Sequence, residues 1–459
     1  MDKNTLLKIK QIVGTSNYLD SDEDKIVYSY DGTPMLSHKP QAVVMPESPS
    51  QISEILKLAN SEKFAVVPRG SGTGLSGGAV AVENSIIMLM HKWDKILEID
   101  EENLTAWVQP GVKTYDFHQA VEQKGLFYPP DPGSQKICTL GGNVAENAGG
   151  LRGLKYGVTR DYVMAVEMVL PNGEILINGG KNVKDVAGYN LRDLIVGSEG
   201  TLGIFTKILL RLLPKPKSSK TILAFFSSLQ DAAKSVSDII AAHIIPCTME
   251  FLDSTTIKCV EDFAKIGLPT NVDALLLLES DGHPEQVADE AEKMYEILKR
   301  NNATEIKVAQ DAQEADQLKT ARRAAFSALA RVKPTTILED ATVPRSNLAP
   351  LIKKVSELAQ KYNLMVGNFG HAGDGNMHPT VLTDERNKEE LERVEKFFDE
   401  LYDETIRLGG TITGEHGVGL AKKKYLKRLI DSSSLKMMQD IKKAIDPNNI
   451  LNPGKIFSV

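Results

Sequence analysis

Cysteine is scarce: Cys138, Cys247 and Cys259 are the only three in 459 residues. Their wide scatter excludes a CxxC site and an iron–sulfur cradle, and it offers no disulfide framework. Long apolar runs are missing as well. The longest runs, such as residues 85–90 and 274–278, are far too short to span a bilayer. The N-terminal stretch MDKNTLLKIKQIVG has no continuous apolar core and no small-residue cleavage site. It therefore reads as an amphipathic helix rather than a signal peptide, and the expected compartment is the cytoplasm. An excess of positive charge is also lacking. With 54 Lys and Arg against 61 Asp and Glu, the net charge is −7, which argues against nucleic acid as a partner. There is no internal repeat and no low-complexity tract. What remains is ordinary globular composition, 42% hydrophobic and 25% charged, at a length that implies two or three domains.

Glycine is plentiful where chemistry would need it. Residues 66–78 read VVPRGSGTGLSGG, a loop with few side chains to hold a ligand away. Its backbone N–H groups can point inward and take phosphate oxygens. Two formal motif matches fail. Gly72-x-Gly74-x-x-Gly77 fits the dinucleotide fingerprint and Gly74-x-Ser76-x-Gly78 fits the nucleophile elbow, but both need a helix directly after the loop. The chain continues AVAVENSIIMLM, an extended run with no helical cap. Similar loops recur before residue 215: Asp131-Pro132-Gly133-Ser134, LGGNVAENAGG over 140–150, Lys155-Tyr156-Gly157, and VGSEGTLGI over 196–204. Four such loops cost conformational entropy that a ligand-free domain has no reason to bear.

Pro214-Lys215-Pro216-Lys217 marks a domain boundary. Before it the pattern is mostly short strands, with a hairpin at Pro171-Asn172-Gly173 and an early helix, N-capped by Ser50, within 46–64. Beyond it longer helices, such as 314–329 and 387–408, separate strands such as 274–279 and 364–368. Residues 367–382, GNFGHAGDGNMHPTVL, read as a hairpin turning at Asp374-Gly375. In that register Gly373 faces Asn376, Ala372 faces Met377, and His371 faces His378. The two imidazoles would share one face with Cβ atoms roughly 5 Å apart, suited to one metal. A third, carboxylate ligand is sought in Gly414-Glu415-His416-Gly417, where flanking glycines allow a sharp turn; Glu415 is the candidate. Asp374 shapes the turn. Two His and a carboxylate suit Zn, Fe or Mn alike. Arg322 and Arg323 lie on one helix, and a guanidinium there can clamp a substrate carboxylate with two hydrogen bonds.

Taken together, PRGSGTGLSGG, the DPGS segment, GGNVAENAGG, VGSEGTLGI and GHAGDGNMH resemble the FAD-linked oxidase family of the vanillyl-alcohol-oxidase and p-cresol-methylhydroxylase type. The resemblance runs over essentially the whole chain. It is strongest to the branch holding glycolate oxidase catalytic subunits, D-lactate dehydrogenases and D-2-hydroxyglutarate dehydrogenases. It implies an α+β fold: an FAD-binding domain of two subdomains over 1–215, a C-terminal α+β substrate cap over 216–410, and a last segment, 411–459, that returns to the flavin domain. Carried over by position, Pro68, Arg69, Gly70, Ser71, Gly72, Thr73, Gly74 and Gly77 would hold the FAD pyrophosphate. Pro132, Gly133, Ser134, Gly142, Asn143, Gly149, Gly150 and Gly157 would line the flavin. Glu199, Gly203 and Ile204 would hold the adenosine side, and Asn452, in the returning segment, would also bind the cofactor. Some relatives link the flavin to a His in the first loop. Here Thr73 stands near that place and no His occurs from 46 to 87, so the FAD is expected to be non-covalent.

In the same branch the residues matching His371, His378 and Glu415 bind a divalent metal, and His416 matches the general base. Arg322 matches the carboxylate-binding arginine, although Lys319 stands where the family has an aromatic residue. Thr380 stands where dicarboxylate-specific relatives have Asn, which disfavours 2-hydroxyglutarate. The expected reaction is oxidation of a short D-2-hydroxy acid, lactate or glycolate, to the 2-keto acid by hydride transfer to FAD. Electrons would pass to a separate carrier such as electron-transferring flavoprotein or an iron–sulfur subunit, and an oligomer is compatible with this reading. The rival readings are a flavoprotein oxidase, an electron-relay FAD subunit of a glycolate oxidase-type complex, and an alkylglycerone-phosphate synthase.

Overall fold

In the computed structural model, which describes residues 1–459, the chain divides into two compact units. The first is Met1–Ala148, Val158–Lys215 and Glu415–Val459; the second is Gly149–Gly157 and Pro216–Gly414. The short excursion Gly149–Gly157 thus joins the second unit, away from its sequence neighbours.

The first unit opens with the helix Lys3–Val13, capped by the Asp2 side chain, which accepts from Thr5 N at 2.7 Å. Its second long helix, Pro49–Glu62, is capped by Ser48 and not by Ser50. Ser48 Oγ accepts from Gln51 N at 3.2 Å. The correction has a simple cause: proline suits the first helical position, where an N–H would have no partner, so Pro49 opens the helix and the cap is the residue before it, Ser48. Four strands, β1 (Tyr18–Leu19), β2 (Val43–Val44), β3 (Ala65–Arg69) and β4 (Ser85–Leu89), form a sheet in the order β1-β2-β4-β3. The β2–β4 and β3–β4 pairs are parallel, and every residue of β4 is buried, as a sheet covered on both faces requires. Five antiparallel strands, β5 (Ile96–Asp100), β6 (Thr105–Val108), β8 (Val163–Val169), β9 (Ile175–Gly179) and β10 (Ile204–Arg211), make a second sheet, ordered β5-β6-β10-β8-β9. β7 (Leu126–Phe127) and β11 (Leu213–Pro214) pair separately. The core of the first sheet gathers Ile9, Ile52, Ile55, Val66 and Met88 with Ile450 and Leu451 from the end of the chain. Full burial of such side chains is worth about 1.5–3 kcal/mol each. The C-terminal segment is stitched in through its backbone: Val66 N donates to Ile450 O at 2.8 Å, and Asn452 N to Val66 O at 2.9 Å.

The second unit is built on eight antiparallel strands: β12 (Ser218–Phe226), β13 (Thr248–Asp253), β14 (Ala274–Gly282), β15 (Glu305–Val308), β16 (Thr335–Leu338), β17 (Ala341–Thr342), β18 (Met365–His371) and β19 (Asn376–Thr383). Their order is β15-β12-β14-β13-β18-β19-β16, with β17 also paired to β19. The stretch 314–329, expected as one helix, is two: Ala312–Arg323 and Ala325–Leu329. Arg322 and Arg323 therefore occupy the last turn of a helix, where positive charge complements the dipole.

The β18–β19 hairpin forms, but its register differs from the expected one. Asn376, not His378, lies opposite His371, and Phe369 lies opposite His378. The turn spans four residues, 372–375, and uses Asp374 N to His371 O and Gly375 N to Ala372 O. Gly375 sits at φ +75, and a Cβ there would run into Val343 O, so glycine is required for space as well as conformation. The slip is two residues, and side chains alternate with period two, so the face is preserved. His371 and His378 become diagonal neighbours on one face instead of direct partners. No helix of the structure is long and apolar enough to cross a membrane.

Candidate active site

The glycine loop of the first unit fits the FAD that the resemblance implies. It leaves β3 at Arg69 and turns back to β4. No loop or turn hydrogen bond of the protein uses the N–H groups of residues 71–75. A Cβ added at Gly74 would meet only Asp31 Oδ2, at 3.9 Å; at Gly142 only Thr139 Oγ1, at 3.3 Å; and at Gly133 nothing within 4 Å. Side-chain-poor backbone with unspent donors is what a pyrophosphate and a planar ring need.

Other predicted cofactor residues are engaged inside the protein. Gly77 N donates to Thr33 Oγ1 at 2.7 Å. Asn143 Nδ2 donates to Thr114 Oγ1 at 2.7 Å. The Glu199 carboxylate accepts from Val418 N and Gly419 N, both at 2.7 Å. Asn452 Nδ2 donates to Gly78 O and Glu199 O, tying two glycine loops together. Gly203 packs against Met168, Ile204 opens β10, and Pro68 lies within β3. Gly149, Gly150 and Gly157 belong to the second unit, where Leu154 packs on Gly373 of the hairpin turn and Lys155 Nζ pairs with Asp281 Oδ1 at 2.6 Å.

Beneath the loop lies a charged cluster of which sequence reasoning singled out only Glu199. Burial, with Glu199 and Asp31 nearby, pushes the Glu146 carboxyl well above its ordinary range. Burial also raises Glu199, against the pull of its two N–H donors. Lys455 is drawn down to about 8 by burial, with Asp31, Glu199 and Glu146 pulling the other way. Its ammonium donates to Gly77 O at 2.8 Å and Val80 O at 2.6 Å. The only other hint in the sequence was a lone acid inside GGNVAENAGG.

In the second unit the hairpin face carries the chemistry. His371 and His378 are 5% and 3% exposed, and their rings meet edge to face with centroids 5.2 Å apart. Glu250 on β13 lies opposite His371 and is fully buried. Its Oε1 is 2.7 Å from His371 Nδ1 and its Oε2 is 2.5 Å from Arg322 Nε. Burial alone would raise this carboxyl, but His371 and Arg322 outweigh it and hold it below the usual range. An ionised carboxylate only accepts, so His371 donates to it from Nδ1, and in the neutral ring the lone pair is then on Nε2. That tautomer, on one of two adjacent imidazoles, fits a divalent metal. Arg322 stacks over Phe369 at 4.8 Å. Arg323 is exposed and paired with Asp316, and Lys319 is held by Glu279 at 2.5 Å. Thr380 is fully buried with its hydroxyl donated to His378 O at 3.0 Å.

The Glu415-His416 pair is held at both ends. On the second unit's side the buried Asp340 accepts from Thr413 Oγ1 at 2.7 Å and Gly414 N at 2.8 Å, and from Asn376 Nδ2 of the hairpin. In the first unit Val418 and Gly419 are fixed by Glu199, and Gly417, at φ +82, passes so close to Glu146 that a Cβ would collide with it. Within the pair His416 Nε2 is 3.9 Å from Glu415 Oε1. Neither Glu250 nor Asp340 stood out in the sequence. Glu250 is an acid within a mostly apolar strand and Asp340, beside Glu339, lies between β16 and β17, and only the tertiary structure shows what each touches.

Fold and loops together define a two-domain FAD-binding protein of the p-cresol methylhydroxylase type. The solved structure of p-cresol methylhydroxylase superimposes with a TM-score of 0.79, covering 99% of this chain and 96% of that one at 20% identity. Residues 40–178 match the FAD binding domain model, and residues 215–456 match the model of the FAD linked oxidases, C-terminal domain. The chain belongs to the FAD-linked oxidase family. It is 54% identical to glycolate oxidase subunit GlcD of Bacillus subtilis, over 99% of this chain and 97% of that one. It is 37% identical to a D-lactate dehydrogenase of Anaerostipes hadrus, over 91% and 90% respectively.

Proposed function

We propose that this FAD-dependent hydroxy-acid oxidoreductase oxidises a short D-2-hydroxy acid, D-lactate or glycolate, to the 2-keto acid and passes the electrons to a separate carrier protein. The observation that carries the reading is the hairpin face, where two imidazoles lie edge to face and one of them, His371, shares the buried Glu250 with the Arg322 guanidinium. Arg322 holds the substrate carboxylate. His371, His378 and Glu415 hold a divalent metal, Zn, Fe or Mn, which when bound lowers the pKa of a coordinated hydroxyl. His416 takes the hydroxyl proton as general base. FAD, held non-covalently by residues 68–74 and the open faces at Gly133 and Gly142, supplies the two-electron acceptor for the C2 hydrogen. The family's glycolate and D-lactate names support a short acid. So does Thr380, whose donated hydroxyl leaves it no proton for a second carboxylate. Three free, buried cysteines suit a reducing cytoplasm.

The test is anaerobic titration of the purified flavoprotein with D-lactate, L-lactate, glycolate and D-2-hydroxyglutarate. Loss of the yellow absorbance with D-lactate or glycolate, and not with the other two, is the expected result. No bleaching by any of them would favour an electron-relay subunit. Rapid stoichiometric peroxide in air would make the chain an oxidase.

A further inference from the structure

A fully buried carboxylate in the middle of a strand needs a reason, because taking its charge out of water costs more than an apolar side chain of similar size would. Glu250 is such a residue, and stability alone does not account for it. Its surroundings form a closed ring of five side chains. Glu250 Oε2 accepts from Arg322 Nε at 2.5 Å, and the Arg322 guanidinium lies over Phe369 at 4.8 Å. The Phe369 ring is 5.5 Å from that of His378, and His378 is 5.2 Å from His371. His371 Nδ1 returns to Glu250 Oε1 at 2.7 Å. Strand pairing builds this ring: Glu250 lies opposite His371, and Leu252, the next residue on that face, lies opposite Phe369, which in turn lies opposite His378.

Each contact has a direction. The carboxylate can only accept, so His371 must donate from Nδ1, which makes Nε2 the metal-binding nitrogen. Arg322 spends Nε–H on Glu250, and Phe369 fixes the plane of the guanidinium from its face. The two terminal nitrogens then form the edge left to bind a carboxylate.

We propose that Glu250 is a positioning residue that sets both halves of the substrate site at once, fixing the tautomer of the metal-binding His371 and the orientation of the anion-binding Arg322. The proposal rests on the functional reading above for the roles of His371 and Arg322, and goes beyond it in assigning their coupling to one side chain.

Glu250→Gln tests it. A glutamine of the same shape offers one acceptor and one donor, so it cannot serve both partners as Glu250 does. For the FAD-loaded variant we expect Zn²⁺ or Mn²⁺ affinity 10–100-fold weaker than in the parent after metal stripping. We also expect a KM for D-lactate or glycolate raised at least tenfold with a smaller fall in kcat, partly recovered in Glu250→Asp. Proton–nitrogen NMR of metal-free protein labelled at histidine should show His371 as the Nδ1–H tautomer in the parent. A parent that binds metal and is bleached by hydroxy acid, beside a folded Glu250→Gln variant with metal affinity and KM within twofold, would overturn the proposal and leave the functional reading intact. If the variant does not fold, the parent spectrum decides, and His371 found as the Nε2–H tautomer refutes the proposal. A parent that neither binds metal nor reacts sinks the functional reading, while the tautomer still reports on Glu250 itself.

Discussion

At the scale of single residues, His371 and Arg322 are each oriented by one hydrogen bond to Glu250 before any ligand arrives. His378 contributes its ring to the imidazole pair, and the flavin loop lies in the other unit. His378→Ala should therefore lower the metal content of the purified protein at least tenfold, measured by elemental analysis, while the flavin-to-protein absorbance ratio stays at the parent value. Retained metal with full turnover would remove His378 from the ligand set. Asp340 is different, since it acts through backbone. Replacing it with Ala takes the protein acceptor from the half-buried Thr413 hydroxyl and the exposed Gly414 N–H, and leaves the buried Asn376 amide with Thr342 Oγ1 alone. The loop carrying Glu415 and His416 should loosen, and kcat should fall at least tenfold by steady-state assay, with FAD still bound. Among these residues the sequence showed chemistry without contacts. His371, His378 and Glu415 stood out because imidazoles and a carboxylate among glycines are unusual. Glu250 and Asp340 look like any other acids until a neighbouring strand or loop is laid against them.

At the scale of elements, periodicity located the helices and strands well, and local chemistry shifted their ends. Pro49 moved a cap from Ser50 to Ser48, and four residues instead of two close the histidine hairpin. The face of that hairpin survived because the slip was even. A second cap has a measurable consequence. Asp253 caps the helix Ser254–Ala264, accepting from Thr256 N at 2.8 Å. Burial pushes its pKa up to about 6 from 3.8, although its N–H donors pull it down. The folded state therefore binds this proton more tightly than the unfolded state. The stabilisation is complete below about pH 4 and is lost as pH rises through 6. Asn caps as well as Asp but does not titrate. The stability of Asp253→Asn relative to the parent should rise by about 2 kcal/mol between pH 4 and pH 6.5, the part of the shift, at 1.36 kcal/mol per unit, that this window spans. Parallel urea melts at the two pH values would measure it. A difference that does not change with pH would show that Asp253 titrates normally.

At the scale of the whole molecule, the end of the chain helps to hold its beginning. Lys455 donates to Gly77 O and Val80 O and is the counter-charge for Asp31, Glu146 and Glu199. Lys455→Met removes that cation and leaves the Gly77 and Val80 carbonyls without their buried donor. Leaving a buried acceptor unsatisfied costs about 1–3 kcal/mol. The expected outcome is a calorimetric transition lowered by several degrees, with FAD released earlier in the same scan. Unchanged melting and flavin retention would show that the cluster is satisfied without the lysine. The sequence by itself determined the family, the side-chain-poor loops, the alternation of helices and strands, and the residue types able to bind a metal and an anion. Those are properties of composition and short-range spacing, which survive in any register. Only the tertiary structure decided that the turn has four residues, that Gly149–Gly157 joins the second unit, and that Glu250 links His371 to Arg322. Those facts depend on which strands lie side by side, and pairing across more than a hundred residues leaves no local trace, because a buried acid and a solvated one are the same letter.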